Sequence, residues 1–183
     1  MGQYYTAVIA DENGNNKKAF YTYGLKLMEH SWWFNPPMNY ISSLLYKKPS
    51  ILCWIGDYAD EDSDWEDEKQ KNDWYGFAWG DNNKSKELDE NSKGILLDGK
   101  YLVNHTQKIY VDCSEYFKQN STDRWCVYPI SLLTAKGNGR GGGDYHDSYP
   151  DFDEVGSWAL DVISVEDEIP TGYESVMYNF KED

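Results

Sequence analysis

The feature that most restricts how this chain can fold is its shortage of helical segments. One segment, residues 37–48, carries apolar side chains on a single helical face, is started by the paired prolines Pro36 and Pro37 and is stopped by Pro49. Most other apolar segments are rich in β-branched and aromatic residues, as strands are. Parallel strands need crossover connections, and one helix provides one crossover. We therefore predict an α+β fold with a mainly antiparallel sheet of about six or seven strands and one principal helix.

The predicted strands are segments rich in β-branched and aromatic residues, and turn residues bound them. The first two, 4–10 and 18–23, flank the pair Asn13-Gly14, which is typical of a tight hairpin. A further strand, 125–135, should bend at Pro129, because proline cannot donate to a strand ladder. The remaining predicted strands are 50–55, 101–104, 108–112, 157–165 and 173–180, and one helical turn is predicted at 115–119.

The length of 183 residues fits a single domain spanning 1–183. Its most polar part is a long acidic stretch at about 58–93, whose apolar content is largely aromatic. We interpret this stretch as an insertion or long loop with some helix, packed locally through its rings. The chain also contains 8 Trp and 16 Tyr, which supply enough buried area for folding despite a mean hydropathy of −0.78.

Acidic residues dominate the charge. The formal net charge is −15, from 32 acidic and 17 basic residues, and such a field repels nucleic acid and anionic membranes but attracts basic surfaces and metal cations. Residues 57–68, called the acidic segment below, contain eight acids and no base. Two interpretations stay open, a solvated loop and an interface for a basic partner. The candidate binding acids here are Asp57, Asp60, Glu61, Asp62 and Asp64.

The acidic segment is a poor calcium loop. Asp60, Asp62 and Asp64 have the spacing of its first ligands, but Trp65 occupies the glycine position and Lys71 occupies the position of the final Glu. A calcium hand is therefore disfavoured, and whether another metal binds is left open.

Residues 137–144, called the glycine loop below, contain five glycines around Arg140. Three of them match GxGxxG, yet no helix is predicted to follow, as a dinucleotide fingerprint requires. The loop could form a nest of backbone N–H groups for an anion, with Arg140 adding phosphate contacts. The alternative is a loop whose glycines permit tight packing. Its candidate binding residues are Asn138, Arg140 and Asp144.

The histidines offer candidates for acid–base or metal chemistry. Glu29 precedes His30, and Asn104 precedes His105, so each imidazole has a polar neighbour. We predict at least one hydrogen-bonded cluster of three among Glu29, His30, Asp57, Asn104, His105, Arg140 and Asp144; the alternative is that these groups only cap strand ends. No nucleophile motif or cofactor signature occurs, which favours a binding protein over an enzyme.

The remaining features concern location. Cys53, Cys113 and Cys126 lie in apolar or aromatic runs without a CxxC pair, so we predict free, buried thiols. No apolar run has membrane-spanning length and no secretory leader is recognisable. These features predict a cytoplasmic protein with no membrane contact and no direct nucleic-acid binding, and they leave a homo-oligomer open.

Four blocks of the sequence carry a resemblance to a known family. They are MGQYY at 1–5, GLKLMEHSW at 24–32, WIGDYA at 54–59 and GNGRGGGDY at 137–145. These blocks resemble an uncharacterised family of small acidic proteins that we associate with phages and prophages of gut bacteria. The resemblance covers most of the chain apart from its polar middle, and it implies a counter-defence role in the bacterial host cell, one class of candidate being the anti-CRISPR inhibitors of Cas9.

Two function hypotheses follow. The first is an acidic inhibitor of a basic, nucleic-acid-binding host protein such as a CRISPR-Cas nuclease, in which the acidic segment competes with phosphates for Lys and Arg. The second is a nucleotide- or phosphate-binding module, a sponge or a hydrolase, that uses the glycine loop.

Overall fold

The computed structural model describes residues 1–22, 24–31, 35–81, 85–122, 125–146 and 148–181, with residues 31 and 62 described by their backbone alone. These residues form nine strands and four helices. The strands are β1 (Tyr5–Ala10), β2 (Lys18–Tyr21), β3 (Ser50–Gly56), β4 (Lys86–Glu87), β5 (Tyr101–Asn104), β6 (Ile109–Asp112), β7 (Ala135–Lys136), β8 (Val162–Glu166) and β9 (Glu174–Ser175). The helices are α1 (Pro36–Leu45), α2 (Glu68–Trp79), α3 (Cys113–Asn120) and α4 (Pro129–Leu133).

The strands form one sheet in the order β4-β2-β1-β3-β8-β5-β6-β9, and β7 also pairs with β3. All pairings between the longer strands are antiparallel. The three parallel pairings, β2–β4, β3–β7 and β6–β9, each involve a strand of two residues. The predicted α+β class is therefore confirmed, but the sheet is mixed and larger than predicted, because strands of two residues leave no sequence pattern.

The first hairpin forms as the Asn-Gly pair predicts. Strands β1 and β2 are antiparallel, and Gly14 has a φ of +77°, which glycine adopts without strain. The Asp11 carboxylate accepts hydrogen bonds from the backbone N–H groups of Asn13 and Asn15, at 3.0 and 2.9 Å. The predicted strand 18–23 ends at Tyr21, and its residue 23 lies outside the described residues.

The centre of the sheet is buried on both faces. Residues of β1 and β3 alternate between two apolar clusters, which explains why the sequence of β3 is almost wholly apolar. On the α1 face, Trp54 shares a cluster with Met38 and Ile41 of helix α1. On the α2 face, Cys53 and Ile55 share a cluster with residues of the polar stretch.

The polar stretch 58–93 thus packs on the sheet and not only on itself. It contains helix α2, and Trp65, Trp74 and Ala78 are buried with Val8 of β1. Because these buried residues cover the second face of β1 and β3, the stretch forms part of the hydrophobic core of the protein. Asp67 caps the start of helix α2, because its side chain accepts a hydrogen bond from the N–H of Gln70.

The predicted strand 125–135 is wrong: its first half forms only isolated bridges, such as Cys126 with Ser121, and its second half is helical. Pro129 begins helix α4, where its missing N–H is harmless because the first helical N–H groups have no intrahelical partner. Two other predicted strands are shortened: 157–165 becomes β8 after successive turns, and 173–180 becomes β9. Helix α1 ends at Leu45, three residues before its predicted end, since Lys47 has a φ of +52°, while α3 extends the predicted single turn.

Candidate functional site

The glycine loop is folded around the carboxylate of Asp144. Its Oδ2 accepts hydrogen bonds from three consecutive backbone N–H groups, those of Gly139, Arg140 and Gly141, at 3.0, 3.1 and 3.0 Å. This arrangement is an anion nest of the predicted kind. Its anion, however, is a side chain of the same loop, so these three donors are already used.

Gln3 and Tyr5 complete the shell of Asp144. The Gln3 amide nitrogen lies 2.7 Å from Asp144 Oδ2 and 2.7 Å from the carbonyl oxygen of Gly137, and the Tyr5 hydroxyl donates to Asp144 Oδ1 at 3.1 Å. The Gln3 side-chain oxygen accepts from the N–H of Tyr58 at 3.0 Å. Burial raises the pKa of Asp144, while the donated hydrogen bonds act in the opposite direction. The network therefore joins the N-terminal strand, the end of β3 and the glycine loop.

The glycines of this loop have a packing reason. A Cβ atom on Gly141 would lie 2.6 Å from the backbone nitrogen of Gln3, and one on Gly137 would lie 2.7 Å from the Cβ of Ala59. Asn138 fixes the end of the loop, because its side chain accepts from the N–H of Tyr145 at 2.9 Å and donates to the Tyr145 carbonyl oxygen at 3.1 Å.

Arg140 points to the acidic segment. Its Nη1 lies 3.1 Å from Glu61 Oε2, and its Nη2 lies 2.7 Å from Asp64 Oδ2 and donates to the Ser63 hydroxyl at 3.0 Å. Burial raises the pKa of Asp64, and the charges of Arg140 and Lys136 partly offset this. The two regions that the sequence singled out are therefore neighbours, joined by Arg140.

The acidic segment has a fixed conformation. At its start, Asp57 Oδ1 accepts from the N–H of Tyr4 at 3.0 Å, and the Asp57 N–H donates to the Tyr4 carbonyl oxygen at 2.9 Å. In its middle, the buried Trp65 donates its indole N–H to the Ala59 carbonyl oxygen at 2.7 Å. The acidic side chains that remain exposed belong to Asp60, Glu61, Glu66, Asp67 and Glu68. The side chain of Asp62 lies outside the described part of the chain.

His30 is a core residue. Its ring is fully buried, packs edge-on against Trp54 and bonds through Nε2 to the Thr22 hydroxyl at 2.8 Å. That hydroxyl donates its proton to the Tyr5 carbonyl oxygen, so Nε2 of His30 is the donor in this pair. Nδ1 has no hydrogen-bond partner among the described residues. Burial lowers the pKa of His30 to about 4, and the adjacent Glu29 accepts from the N–H of Lys26 at 2.8 Å.

Asn104 and His105 lie elsewhere. Asn104 donates to Asp161 at 2.7 Å, while His105 bonds through its two ring nitrogens to the hydroxyls of Tyr173 and Ser164, at 3.0 and 2.8 Å. Burial lowers the pKa of His105. Asn104 is in register with Ile163, which pairs with the first residue of β3, whereas Asp57 follows its last residue. About six residues of strand, roughly 20 Å, therefore separate the two places.

The predicted three-residue cluster does not form. Among its seven candidate members, the hydrogen bonds of the described residues join only Arg140 and Asp144. The strands that precede these residues end at different positions along the sheet. Residues that each follow a strand are therefore far apart. The capping alternative describes Glu29, Asp57 and Asn104 better, since each side chain accepts from a nearby backbone N–H.

The residues that the structure describes contain no group of three or more His, Cys, Asp or Glu side chains that could hold a metal ion. Cys53, Cys113 and Cys126 are free and buried, as predicted, and burial raises the pKa of the Cys53 thiol to about 12. None of the helices in this described part is long and apolar enough to cross a membrane.

Sequence reasoning missed Gln3, Tyr5 and Thr22. These three side chains organise the interior around Asp144 and His30, but a lone polar residue near a strand carries no periodic or motif signal. Their partners are 8 to 141 residues away along the chain.

Comparison with protein-family models, with curated proteins and with solved structures gives no match for this chain. The resemblance to a phage family therefore stays a prediction.

Proposed function

We propose that this protein is an acidic binding protein that occupies the phosphate-binding surface of a basic, nucleic-acid-handling partner. One observation carries the proposal: the acidic segment presents exposed carboxylates from a backbone that is fixed at its start, middle and end. The fixed points are the Asp57–Tyr4 pair, the buried Trp65 and the helix cap at Asp67.

Fixed charge favours binding for two reasons. A preordered segment loses less conformational freedom on association than a flexible one does. Complementary charge also accelerates encounter and selects against partners of like charge. The net charge of −15 extends the same preference over the whole molecule.

The resemblance to phage proteins narrows the choice of partner. We extend the proposal to a counter-defence role in the cytoplasm of a bacterial host, with a CRISPR-Cas nuclease such as Cas9 as the partner. In this role the protein binds and blocks, and it needs no catalytic group of its own. The acids of the segment then replace phosphates on the Lys and Arg side chains of the nuclease.

The proposal can be tested with purified Cas9. Binding should be measured by calorimetry at about 50 mM and about 500 mM NaCl, because charge-dominated contacts weaken steeply as salt screens them. A short DNA duplex should compete with the protein for the nuclease. Absence of binding at low salt would refute Cas9 as the partner, and binding without DNA competition would refute the phosphate-site mechanism.

A matched pair of variants isolates the segment. The triple substitution Asp60→Asn, Glu61→Gln, Glu66→Gln removes three exposed charges from it. The control Glu12→Gln, Glu168→Gln, Glu174→Gln removes three exposed charges elsewhere. The first variant should bind roughly tenfold more weakly and the second should bind nearly as the wild type does. Equal losses would mean that net charge alone matters.

The nucleotide-binding alternative has less support. A phosphate would have to displace Asp144 from three amides, and Arg140 would have to leave Glu61 and Asp64. A thermal-shift screen of nucleotides and divalent metals tests it, because ligand at 100 times its Kd adds about 2.7 kcal/mol to stability. A clear upward shift with a nucleotide would revive this alternative.

A further inference from the structure

Among the described residues, four aromatic side chains lie near the end of β3 on the α2 face of the sheet, close to Asp57. They are called the aromatic patch: Tyr4, Tyr21, Tyr75 and Trp79. Tyr4 binds Asp57 through its backbone, and the Tyr75 hydroxyl donates to the Asp57 carbonyl oxygen at 3.0 Å. Trp79 donates its indole N–H to the carbonyl oxygen of Ile55 at 3.1 Å, and its ring meets that of Tyr21 edge-on, with centroids 6.2 Å apart.

These rings are partly open to solvent. Tyr4 is 39% exposed, and the other three side chains are half-buried. The polar atoms of Tyr75 and Trp79 bond to the backbone at the end of β3, so these residues present mainly aromatic carbon outward. Aromatic surface of this kind is enriched where proteins bind each other.

The carboxylate within the patch has spare capacity. Asp57 Oδ1 accepts from the N–H of Tyr4, whereas Oδ2 accepts no hydrogen bond from the described residues. No Lys or Arg in the described part of the chain forms an ion pair with Asp57. A partly buried carboxylate without a cation is costly, and an incoming cation relieves that cost.

The surface beneath the patch holds another unused polar atom. Thr6 pairs with Tyr21 on one side and with Ile55 on the other, so its side chain lies on the same α2 face. It is fully buried, and its hydroxyl has no hydrogen-bond partner among the residues described.

We propose that the aromatic patch binds an arginine side chain of the basic partner, with the guanidinium donating to Asp57 Oδ2 and stacking on the neighbouring rings. This inference rests on the proposed function and names its main contact. Arginine fits better than lysine because its planar, weakly hydrated head can stack on a ring and donate to a carboxylate at once. The exposed Asp60, which follows Asp57 closely in the chain, extends the negative surface for further bases.

The test uses two probes of equal charge, a nona-arginine and a nona-lysine peptide, with binding to the full chain followed by fluorescence anisotropy. The arginine peptide should bind about tenfold more tightly, since the planar, weakly hydrated guanidinium gains more from stacking on a ring than the ammonium does. It should also shift the indole N–H resonance of Trp79 in NMR spectra, whereas the lysine peptide leaves that resonance in place. Equal affinities for the two peptides would overturn the inference.

Two pairs of variants test the location. Tyr4→Ala should remove most of the preference for arginine, whereas Phe77→Ala, at a ring 40% exposed on the same helix as Tyr75, should retain it. Asp57→Asn keeps the acceptor for the Tyr4 N–H and should weaken arginine binding about tenfold, unlike Glu174→Gln. Thermal melts of each variant check that the fold is intact. Tyr4→Ala and Phe77→Ala losing the preference equally would overturn the inference.

The two proposals can fail separately. If the peptides bind with equal affinity and the triple variant of the acidic segment weakens both, the acidic surface operates by charge alone and the arginine site is refuted. If arginine selectivity is observed while Cas9 does not bind, the site stands and the nuclease is the wrong partner.

Discussion

The glycine loop and the acidic segment look equally ready for a ligand in the sequence, but they differ in what remains free after folding. The loop amides of residues 139–141 bind Asp144, and the loop arginine binds Glu61 and Asp64. The acidic segment is fixed by its backbone and by Trp65, which leaves most of its carboxylates in solvent. A sequence motif therefore indicates which groups could bind a ligand. Contacts within the folded protein determine whether those groups remain available to another molecule.

Removing the carboxylate of the loop should have the largest effect. Asp144→Ala leaves three backbone N–H groups and the Tyr5 hydroxyl without their acceptor and removes one acceptor of the Gln3 amide. We therefore expect a loss of about 3–5 kcal/mol in the free energy of unfolding. Urea denaturation measures this. The matched change Asp60→Ala in the acidic segment should cost under about 0.5 kcal/mol. Similar losses at the two positions would break the contrast between the regions.

The pH dependence of stability should come next. The folded state keeps His30 neutral down to a pKa of about 4, while the unfolded chain takes up a proton below its ordinary value of 6.5. The contribution of neutral His30 to the free energy of unfolding is therefore fully present above pH 6.5. It is lost as the pH drops towards 4, and the loss is about 3 kcal/mol.

Urea denaturation of the wild type and of His30→Gln across this pH range isolates the contribution of His30 to the loss of stability. The wild type should lose more stability than the variant between pH 6.5 and pH 4. Parallel curves for the two proteins would show that His30 does not set the acid sensitivity.

A smaller effect is expected at the glycines of the loop. Gly141→Ala places a Cβ 2.6 Å from the backbone of Gln3, whereas Gly142→Ala meets its nearest atom at an ordinary 3.6 Å. We expect the first change to cost about 1–3 kcal/mol and the second to be nearly neutral. Calorimetric melting of the two variants measures the difference, and a neutral Gly141→Ala would mean that the loop packs loosely.

The smallest effect should come from the acids themselves. Neutralising Asp60 and Glu66 as Asn and Gln relieves repulsion between exposed charges, so stability should rise by up to about 0.5 kcal/mol at low salt. The gain should vanish at high salt, where such charges are screened. A loss of stability would place these carboxylates among the structural ones, as Asp144 is.

Much of the fold could be predicted where a pattern is local. Strands β1, β3, β5 and β6 and helix α1 follow from apolar runs, and the hairpin follows from Asn13-Gly14. Pro129 was ambiguous, because a proline fits both a bent strand and the first turn of a helix. The strands of two residues depend on tertiary pairing and have no local signal of their own.

The sequence could predict which residues belong to the candidate site, but it could not predict which residues they contact. Asn138, Arg140 and Asp144 do form an organised loop, but their partners Gln3 and Glu61 are distant in sequence. The predicted cluster counted Asn104, His105 and Asp57 among its candidate members, but the strand register places Asn104 and His105 far from Asp57. Register is a property of the assembled sheet, so the order of residues alone could not reveal this separation.

The bond between Gln3 and Asp144 also constrains when the protein can mature. The two residues are 141 positions apart, so the first strand leaves the ribosome long before its buried partner exists. At about 5–20 residues per second, translation of the intervening chain takes on the order of ten seconds. During that interval β1 and β2 can form a hairpin, but Gln3 and Tyr5 have no carboxylate to bind. Completion of the fold therefore waits for the glycine loop, and late contacts of such long range make folding slow.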